Sequence, residues 1–277
     1  MKLQAFLPLV TYPDQNAPII VDHAVALAKH IGAELHATAF NADIPPVSNA
    51  LSRVLLNVRE MVEEAETVSR LRGEQLLASA RKRADAAGVP LTTDTVAGAP
   101  ALLGNQAALQ ARYFDLSLIG CEAGNVTSGA TAQTIIFGSG RPSVLLPELC
   151  EINGLDQIAI AWDGTSAAAR AVSDARFLLE RAKHISVLTV LDEKPLKDRV
   201  SERLTTGLRQ RGLAAEAVVI RKERGEIGAV LQKHAVQSGA KLLVMGGYGH
   251  SRLRDFVLGG ATASVLEDVR LPILLSH

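Results

Sequence analysis

The glycine-rich stretch VMGGYGHSRLRDFVLGGATASVL, residues 244–266, contains the residues best suited to chemistry in this chain. Two residues separate Gly246 from Gly249, and nine more separate Gly249 from Gly259, which Gly260 follows directly. Glycines at this spacing let backbone N–H groups come close to an anion, because a Cβ would hold phosphate oxygens away from the amides. The same glycines also suit a plain strand-to-helix connection with tight packing, so the spacing alone leaves both interpretations open.

The flanking residues favour the anion site. LLVMG before the loop is typical of a buried strand, and ATASVLEDV after it is typical of a helix that begins near Gly260. The positive end of that helix would face the loop. The first-turn residues Gly260, Ala261 and Thr262 are therefore candidate phosphate ligands, through backbone N–H groups and the Thr262 hydroxyl.

The chain contains one pattern twice. GATA opens at Gly129 and again at Gly260, and each copy continues through an apolar stretch and a proline to a short aliphatic strand. Upstream, YFDLSLIG and GAKLLVMG are predicted strands that end in Gly120 and Gly246. Strands that alternate with helices indicate βαβ units, so each half is predicted to be a doubly wound α/β domain with a parallel sheet. We predict domains at residues 1–150 and 151–277, with Pro147–Gln157 as the linker and Ser166 as an N-cap.

Composition narrows the function classes. The 277 residues include 29 basic and 29 acidic residues and only 4% aromatics, which argues against binding to nucleic acid or to an anionic membrane. Two cysteines without disulfide-like spacing, and an N-terminus broken by prolines, predict a cytoplasmic protein without a membrane span.

Other reactive groups form no recognisable active site. The seven histidines show no HxxxH pair, so no zinc site is predicted. Cys121 has no basic neighbour in sequence that would lower its pKa. Since no nucleophile motif or general base is evident, we expect at most slow ATP hydrolysis and no dedicated catalytic residues.

The pattern G-x2-G-x9-G in the second half resembles the universal stress protein family, whose ATP-binding members carry it. WDG after the first strand and TVLDE at the end of the second strand extend the resemblance, and two copies in one chain resemble the tandem type. That resemblance implies two Rossmann-like domains about a pseudo-two-fold axis and a stress-response role regulated by ATP or a related adenine nucleotide, with or without magnesium.

The resemblance also implies residue roles. It places Asp163 near the adenosine and Val190 beside the adenine, with the loop glycines and Thr262 at the phosphates. The matching loop glycines are Gly246, Gly249 and Gly259. Gly260 departs from the family pattern, which usually has Ser or Thr there, so one hydroxyl contact is missing.

The loop that corresponds to the glycine-rich stretch is shorter in the first half of the chain. From Gly120 to Ser128 the chain takes eight steps, whereas Gly246 to Gly259 takes thirteen, so the first domain is predicted to be degenerate. The resemblance further implies that the strands PSVLLP and PILLS pair within the chain, as an intramolecular pseudo-dimer, since such strands otherwise expose an edge. It does not decide whether the chain also forms a homodimer. An alternative function is a nucleotide-independent module that recruits an unknown protein partner; a hydrolase or electron-transfer role is disfavoured because no matching motif is present.

Overall fold

The computed structural model describes residues 2–45, 58–191, 200–221, 225–247 and 260–277. The chain divides into two compact units. The first comprises Met1–Gly120 and Asn125–Ser139, and the second comprises Cys121–Gly124 and Gly140–His277. None of the helices in the described ranges is both long and apolar enough to cross a bilayer.

The first unit alternates strands and helices around a parallel sheet of order β3-β2-β1-β4. Six successive residues of the inner strand β1 are buried, so this strand is covered on both faces. Helix α1 packs with α2, and α3 packs with α4. The elements are β1 (Leu3–Val10), α1 (Pro18–Ile31), β2 (Ala33–Ala42), α2 (Val58–Ala87), β3 (Leu91–Gly98), α3 (Pro100–Ala111), β4 (Leu116–Gly120) and α4 (Val126–Gly138).

The second unit repeats this arrangement with two added strands, β10 and β5, in the order β5-β10-β9-β6-β7-β8. The pairs among β6 to β10 are parallel, and β10 pairs with β5 antiparallel. The elements are β5 (Ser143–Leu146), β6 (Gln157–Ala161), α5 (Ser166–Asp174), α6 (Arg176–Leu179), β7 (His184–Leu191), α7 (Val200–Gln210), β8 (Ala215–Arg221), α8 (Ile227–Gln237), β9 (Leu242–Gly246), α9 (Gly260–Glu267) and β10 (Ile273–Ser276).

The doubly wound α/β class predicted from the sequence is confirmed in both units. The predicted strands ending at Gly120 and Gly246 end at those residues, and the helix predicted near Gly260 begins there. The expected pairing of PSVLLP with PILLS is also present, since Leu145 faces Ile273 in the β5–β10 ladder. Strand β5, from the first half of the sequence, thereby lies in the second unit.

Two details differ from expectation. The N-cap of α5 is Thr165 and not Ser166, because Gly164 has φ 78° and leaves Thr165 extended, with its hydroxyl accepting from Ala168 N at 3.2 Å. The charges and small residues from about Ser48 to Ala87 predict one long amphipathic helix, which the structure describes from Val58 to Ala87, while residues 46–57 lie outside the described part of the chain.

Candidate functional site

The strand order of the second unit reverses between β6 and β9. From β6 the chain proceeds to β7 and β8 on one side, while β9 and β10 lie on the other. Ile160 of β6 pairs with Val244 of β9, and both strands run in the same direction, so their carboxyl ends meet at one edge. In open α/β sheets that crevice is where ligands bind.

Three predicted residues lie along this edge. Asp163 follows β6, Val190 is the penultimate residue of β7 next to it, and Gly246 ends β9 on the other side. Val190 is half-buried and pairs with Ile220, while the neighbouring Leu191 is 37% exposed. The fold therefore gathers one carboxylate, one apolar strand end and one glycine around the reversal point.

Asp163 is exposed and shapes the turn that starts α5. Its Oδ1 accepts from Thr165 N at 2.9 Å and from the Thr165 hydroxyl at 2.7 Å. Among the described residues, no group donates a hydrogen bond to the other carboxylate oxygen. Asp163 thus has a structural role through one oxygen and can accept a ligand hydroxyl through the other.

Trp162 was missed by sequence reasoning, although it precedes Asp163 directly. Its indole N–H donates to Val200 O at 3.1 Å, and its carbonyl accepts from the Thr189 hydroxyl at 2.9 Å. These bonds connect the end of β6 to β7 and to the first residue of α7. Its position between an apolar strand and Asp163 is the feature of the sequence that could have indicated a role at the strand end.

Gly246 is explained by packing within the protein. A Cβ at this position would lie 2.5 Å from the Ala167 carbonyl carbon and 2.5 Å from Ala168 N, both in the first turn of α5. The following residue, Gly247, donates its N–H to Ser276 O at 2.7 Å, and its carbonyl faces His277 Nδ1 at 3.2 Å. The start of the glycine loop is therefore held between α5 and the C-terminal strand.

The three first-turn candidates lie at the start of α9, next to the start of α8. A Cβ on Gly228, in the first turn of α8, would meet Ala261 O and Ser264 Oγ. Because α8 follows the carboxyl end of β8, this contact puts the beginning of α9 on the carboxyl side of the sheet. Thr262 is 4% exposed, so its side chain already packs in the protein. Gly249 and Gly259 lie outside the described residues.

The equivalent edge of the first unit is closed by its own side chains. Asn125 caps α4 by accepting from Ser128 N at 3.0 Å, and its amide donates to Gln15 O at 3.0 Å. Asn16, 1% exposed, accepts from Val10 N at 2.7 Å and lies against Gly120. The side-chain oxygen of Asn125 therefore occupies the N-terminus of α4, the place where an anion could otherwise accept from the backbone N–H groups.

Helix α2 closes the neighbouring strand ends of the first unit. The Thr11 hydroxyl lies 2.7 Å from Ser69 Oγ, which also accepts from Ala42 N at 2.9 Å. Arg72 donates to the carbonyls of Thr11 and Pro13 at 3.2 and 2.7 Å. These contacts satisfy backbone groups that a ligand would otherwise meet.

The described residues also include potential metal ligands and two thiols. No group of three His, Cys, Asp or Glu side chains among them could hold a metal ion. Burial, with a smaller effect of the Glu122 charge, raises the pKa of the Cys121 thiol to about 12, and burial raises that of Cys150 to about 11. The raised pKa values disfavour the reactive thiolate form of both residues at neutral pH.

The fold is that of a doubly wound α/β protein. The sequence model of the Universal stress protein family matches residues 154–277. This match covers less than half of the chain, so the similarity to the family concerns the second unit.

One curated protein is similar over about half of this chain. Universal stress protein Slr1230 of Synechocystis is 23% identical over 149 residues, covering 53% of this chain and 50% of that protein. The chain thus spans about half the length of this curated relative.

Solved structures extend the fold to the whole chain. A universal stress protein from Archaeoglobus fulgidus is similar with a TM-score of 0.71 and 15% identity, over 98% of this chain and 95% of that one. A putative universal stress protein from Pseudomonas aeruginosa gives a TM-score of 0.57 at 16% identity, over 99% and 92%. At these identities the likeness concerns the fold.

Proposed function

We propose that the second unit binds ATP or a related adenine nucleotide at the edge between β6 and β9, and that binding regulates a stress-response role. The observation that carries this proposal is the start of α9. The described helix begins at Gly260, and the preceding residue in the sequence is also a glycine, so neither position has a side-chain oxygen to cap the helix. Helices α4 and α5 have such a cap in Asn125 and Thr165.

A phosphate group would supply the missing cap. The first N–H groups of a helix lack intrahelical partners, and the helix dipole favours negative charge there. Gly260 and Ala261 would contribute backbone N–H groups, and Thr262 would contribute through the helix turn that its buried side chain anchors. Gly249 and Gly259 would complete the loop, as the family resemblance implies.

The nucleoside would lie along the strand ends. The free oxygen of Asp163 would accept a ribose hydroxyl, while Oδ1 stays bonded to Thr165. Val190 would border the base with its half-exposed apolar surface. Adenosine and phosphates would then span β7, β6 and β9, which are neighbours in the sheet.

The test is calorimetric titration of the full chain with ATP, ADP and GTP, with and without magnesium. The variant Ala261→Asp puts a negative charge in the first turn of α9 and should abolish binding by repelling phosphate. Its matched control is Ala130→Asp, since Ala130 holds the same place in the GATA segment of the first unit. That control should bind like the wild type, because its helix N-terminus is already capped by Asn125.

Two variants separate the proposed bond between Asp163 and the ribose from the bonds that Asp163 makes to Thr165. Asp163→Ala removes both sets of bonds and should weaken ATP binding roughly 10- to 150-fold, because a hydrogen bond to a charged group contributes about 1.5–3 kcal/mol. Asp163→Asn keeps an oxygen for Thr165 and should lose less. Wild-type protein that shows no saturable heat at about 1 mM ATP would refute the proposal.

The second candidate is the nucleotide-independent interaction module. It is favoured by the structural roles of Asp163 and Gly246, each of which the folded chain requires without any ligand. Under this alternative all three nucleotides fail to bind and Ala261→Asp has no effect on any partner contact.

A further inference from the structure

The first unit has a cavity of about 560 Å³ beside helix α2, and this volume is within the range of small-molecule sites. Its walls are the carboxyl-terminal parts of β2 and β3 and the flank of α2 that includes Arg70. Arg72, which bonds to the chain after β1, lies on the opposite flank, because residues two apart point to nearly opposite sides of a helix. The cavity is therefore separate from the strand ends that the first unit closes. Its polar side chains include Asn41, Asp43, Glu63, Glu66, Arg70 and Glu74, and we call it the α2 cavity.

A buried amide lines this cavity where α2 comes closest to β2. A Cβ on Gly73 of α2 would lie 2.5 Å from Asn41 Oδ1 and 3.1 Å from the Ala39 side chain, so the glycine permits the close approach. Asn41 is 7% exposed, and its Oδ1 accepts from the Thr11 hydroxyl at 3.3 Å. The amide N–H groups of Asn41, in contrast, donate to none of the described residues. Because a buried donor without an acceptor is costly, it points to a ligand that brings an acceptor to this end of the cavity.

A guanidinium lies at the same end of the cavity as this amide. Arg70 is one helical turn from Gly73, and Gly73 is the residue that contacts Asn41. The guanidinium lies 3.4 Å from Glu74, and because both side chains are exposed, this ion pair is weak enough for a ligand to replace. A guanidinium and an amide N–H group that lie near each other suit a carboxylate, whose two oxygens can accept from both.

Carboxylates lie at the other end of the cavity. Glu66 Oε1 accepts from Ile44 N at 2.7 Å, and this bond places Glu66 beside Asp43, the residue that precedes Ile44. Glu63 is about one turn nearer the start of α2, and its ion pair with Arg59 is exposed on both sides. The Asp43 carboxylate forms no ion pair with a described residue. The negative charge at this end suits a cation.

We propose that the α2 cavity binds a free α-amino acid with a cationic side chain, the class of lysine, ornithine and arginine. The α-carboxylate accepts from Arg70 and Asn41, and the α-ammonium group donates to Glu74. The side-chain cation lies between Glu66 and Asp43. Arg70 and Glu66 are four residues apart, or about 6 Å along the helix axis, and the extended side chain of such an amino acid has a length of the same order. A diamine would bring no acceptor to Asn41, and an apolar amino acid would bring no cation to Asp43.

The experiment is calorimetric titration of the full chain with L-lysine at constant ionic strength and neutral pH, up to about 5 mM ligand. We expect saturable binding at one site per chain, with a dissociation constant of about 0.1–1 mM, because a ligand this small in an open cavity gains limited binding energy. Cadaverine is lysine without its α-carboxylate, and norleucine is an amino acid of similar length without the side-chain cation. Neither should show saturation over the same range of concentrations.

Variants test the two ends of the cavity separately. Arg70→Gln removes the partner of the α-carboxylate and should weaken lysine binding at least about 10-fold. Asp43→Asn combined with Glu66→Gln removes the partners of the side-chain cation and should abolish saturation, while the new amide oxygen at position 66 still accepts from Ile44 N. Glu64→Gln is the matched control, because Glu64 lies on the Arg72 flank of α2, and this variant should bind lysine like the wild type.

Three results would overturn the proposal. The first is a wild type that shows no saturable heat with lysine, and the second is cadaverine that binds as tightly as lysine, which would reduce the cavity to a general cation site. The third is Arg70→Gln that binds lysine like the wild type. Circular dichroism of each variant establishes that lost binding does not come from a lost fold.

Discussion

Replacing Gly246 by alanine tests whether packing alone requires this glycine. The added methyl would lie 2.5 Å from two backbone atoms of α5 and 2.9 Å from the Ala167 side chain, whereas ordinary contacts begin at 3.4 Å. Because backbone atoms cannot avoid the clash by a rotamer change, the first turn of α5 must move by about 1 Å. Overpacking of this kind costs about 1–3 kcal/mol.

Two effects determine the net change in stability. Alanine also reduces the conformational entropy of the unfolded chain, and this offsets about 0.5–1 kcal/mol of the overpacking cost. We therefore expect Gly246→Ala to lower the free energy of unfolding by about 1–2 kcal/mol, and the melting temperature by about 2–8 °C. Urea unfolding can be followed by Trp162, the single tryptophan, which lies in the second unit.

The matched control is Gly207→Ala in α7. A Cβ at Gly207 has no heavy atom within 4 Å, so the helix gains alanine propensity without a clash, and stability should rise by about 0.5–1 kcal/mol. If Gly246→Ala proves as stable as the wild type in the absence of nucleotide, the packing argument is refuted. Phosphate approach would then be the remaining reason for the glycine.

Two further predictions concern titrating groups. Burial lowers the pKa of His36, opposed by the Asp94 charge, and its ring stacks on Phe114 at 5.1 Å. Since the unfolded state binds the proton more readily, stability should fall as pH drops through about 6.5, and His36→Phe should reduce that slope in urea titrations at pH 7.5 to 5.5. With thiol pKa values of about 12 and 11, Cys121 and Cys150 should react with a disulfide reagent far more slowly than free cysteine at pH 7.5, until urea exposes them. A fast reaction of native protein would contradict the burial of these thiols.

Local patterns were sufficient for most of the fold. The strand ends at Gly120 and Gly246 and the helix start at Gly260 follow from apolar runs and glycine positions, which act within a few residues. The β5–β10 pairing was expected from the family resemblance, which assigns pairing to the strand after the proline in each half. The strand ends and the helix start, in contrast, need no knowledge of distant contacts.

Other features depend on contacts between residues far apart in sequence. The clash of a Cβ at 246 with Ala167 joins positions about eighty residues apart, and no spacing rule reveals it. The cap at Thr165 depends on the left-handed conformation of Gly164, which shifts the helix start by one residue. Sequence reasoning could name Asp163 as a site candidate, but not that one of its oxygens already bonds to Thr165.

The two halves of the chain use one scaffold in opposite ways. In the first unit, Asn125 and Asn16 fill the strand-end edge. In the second unit neither Gly259 nor Gly260 has a side-chain oxygen that could cap the start of α9. If this difference decides which unit binds nucleotide, Ala261→Asp should abolish ATP binding, whereas Ala130→Asp at the matching position of the first unit should leave it unchanged, because Asn125 already caps α4. Loss of binding in both variants would show that the units do not differ in this way.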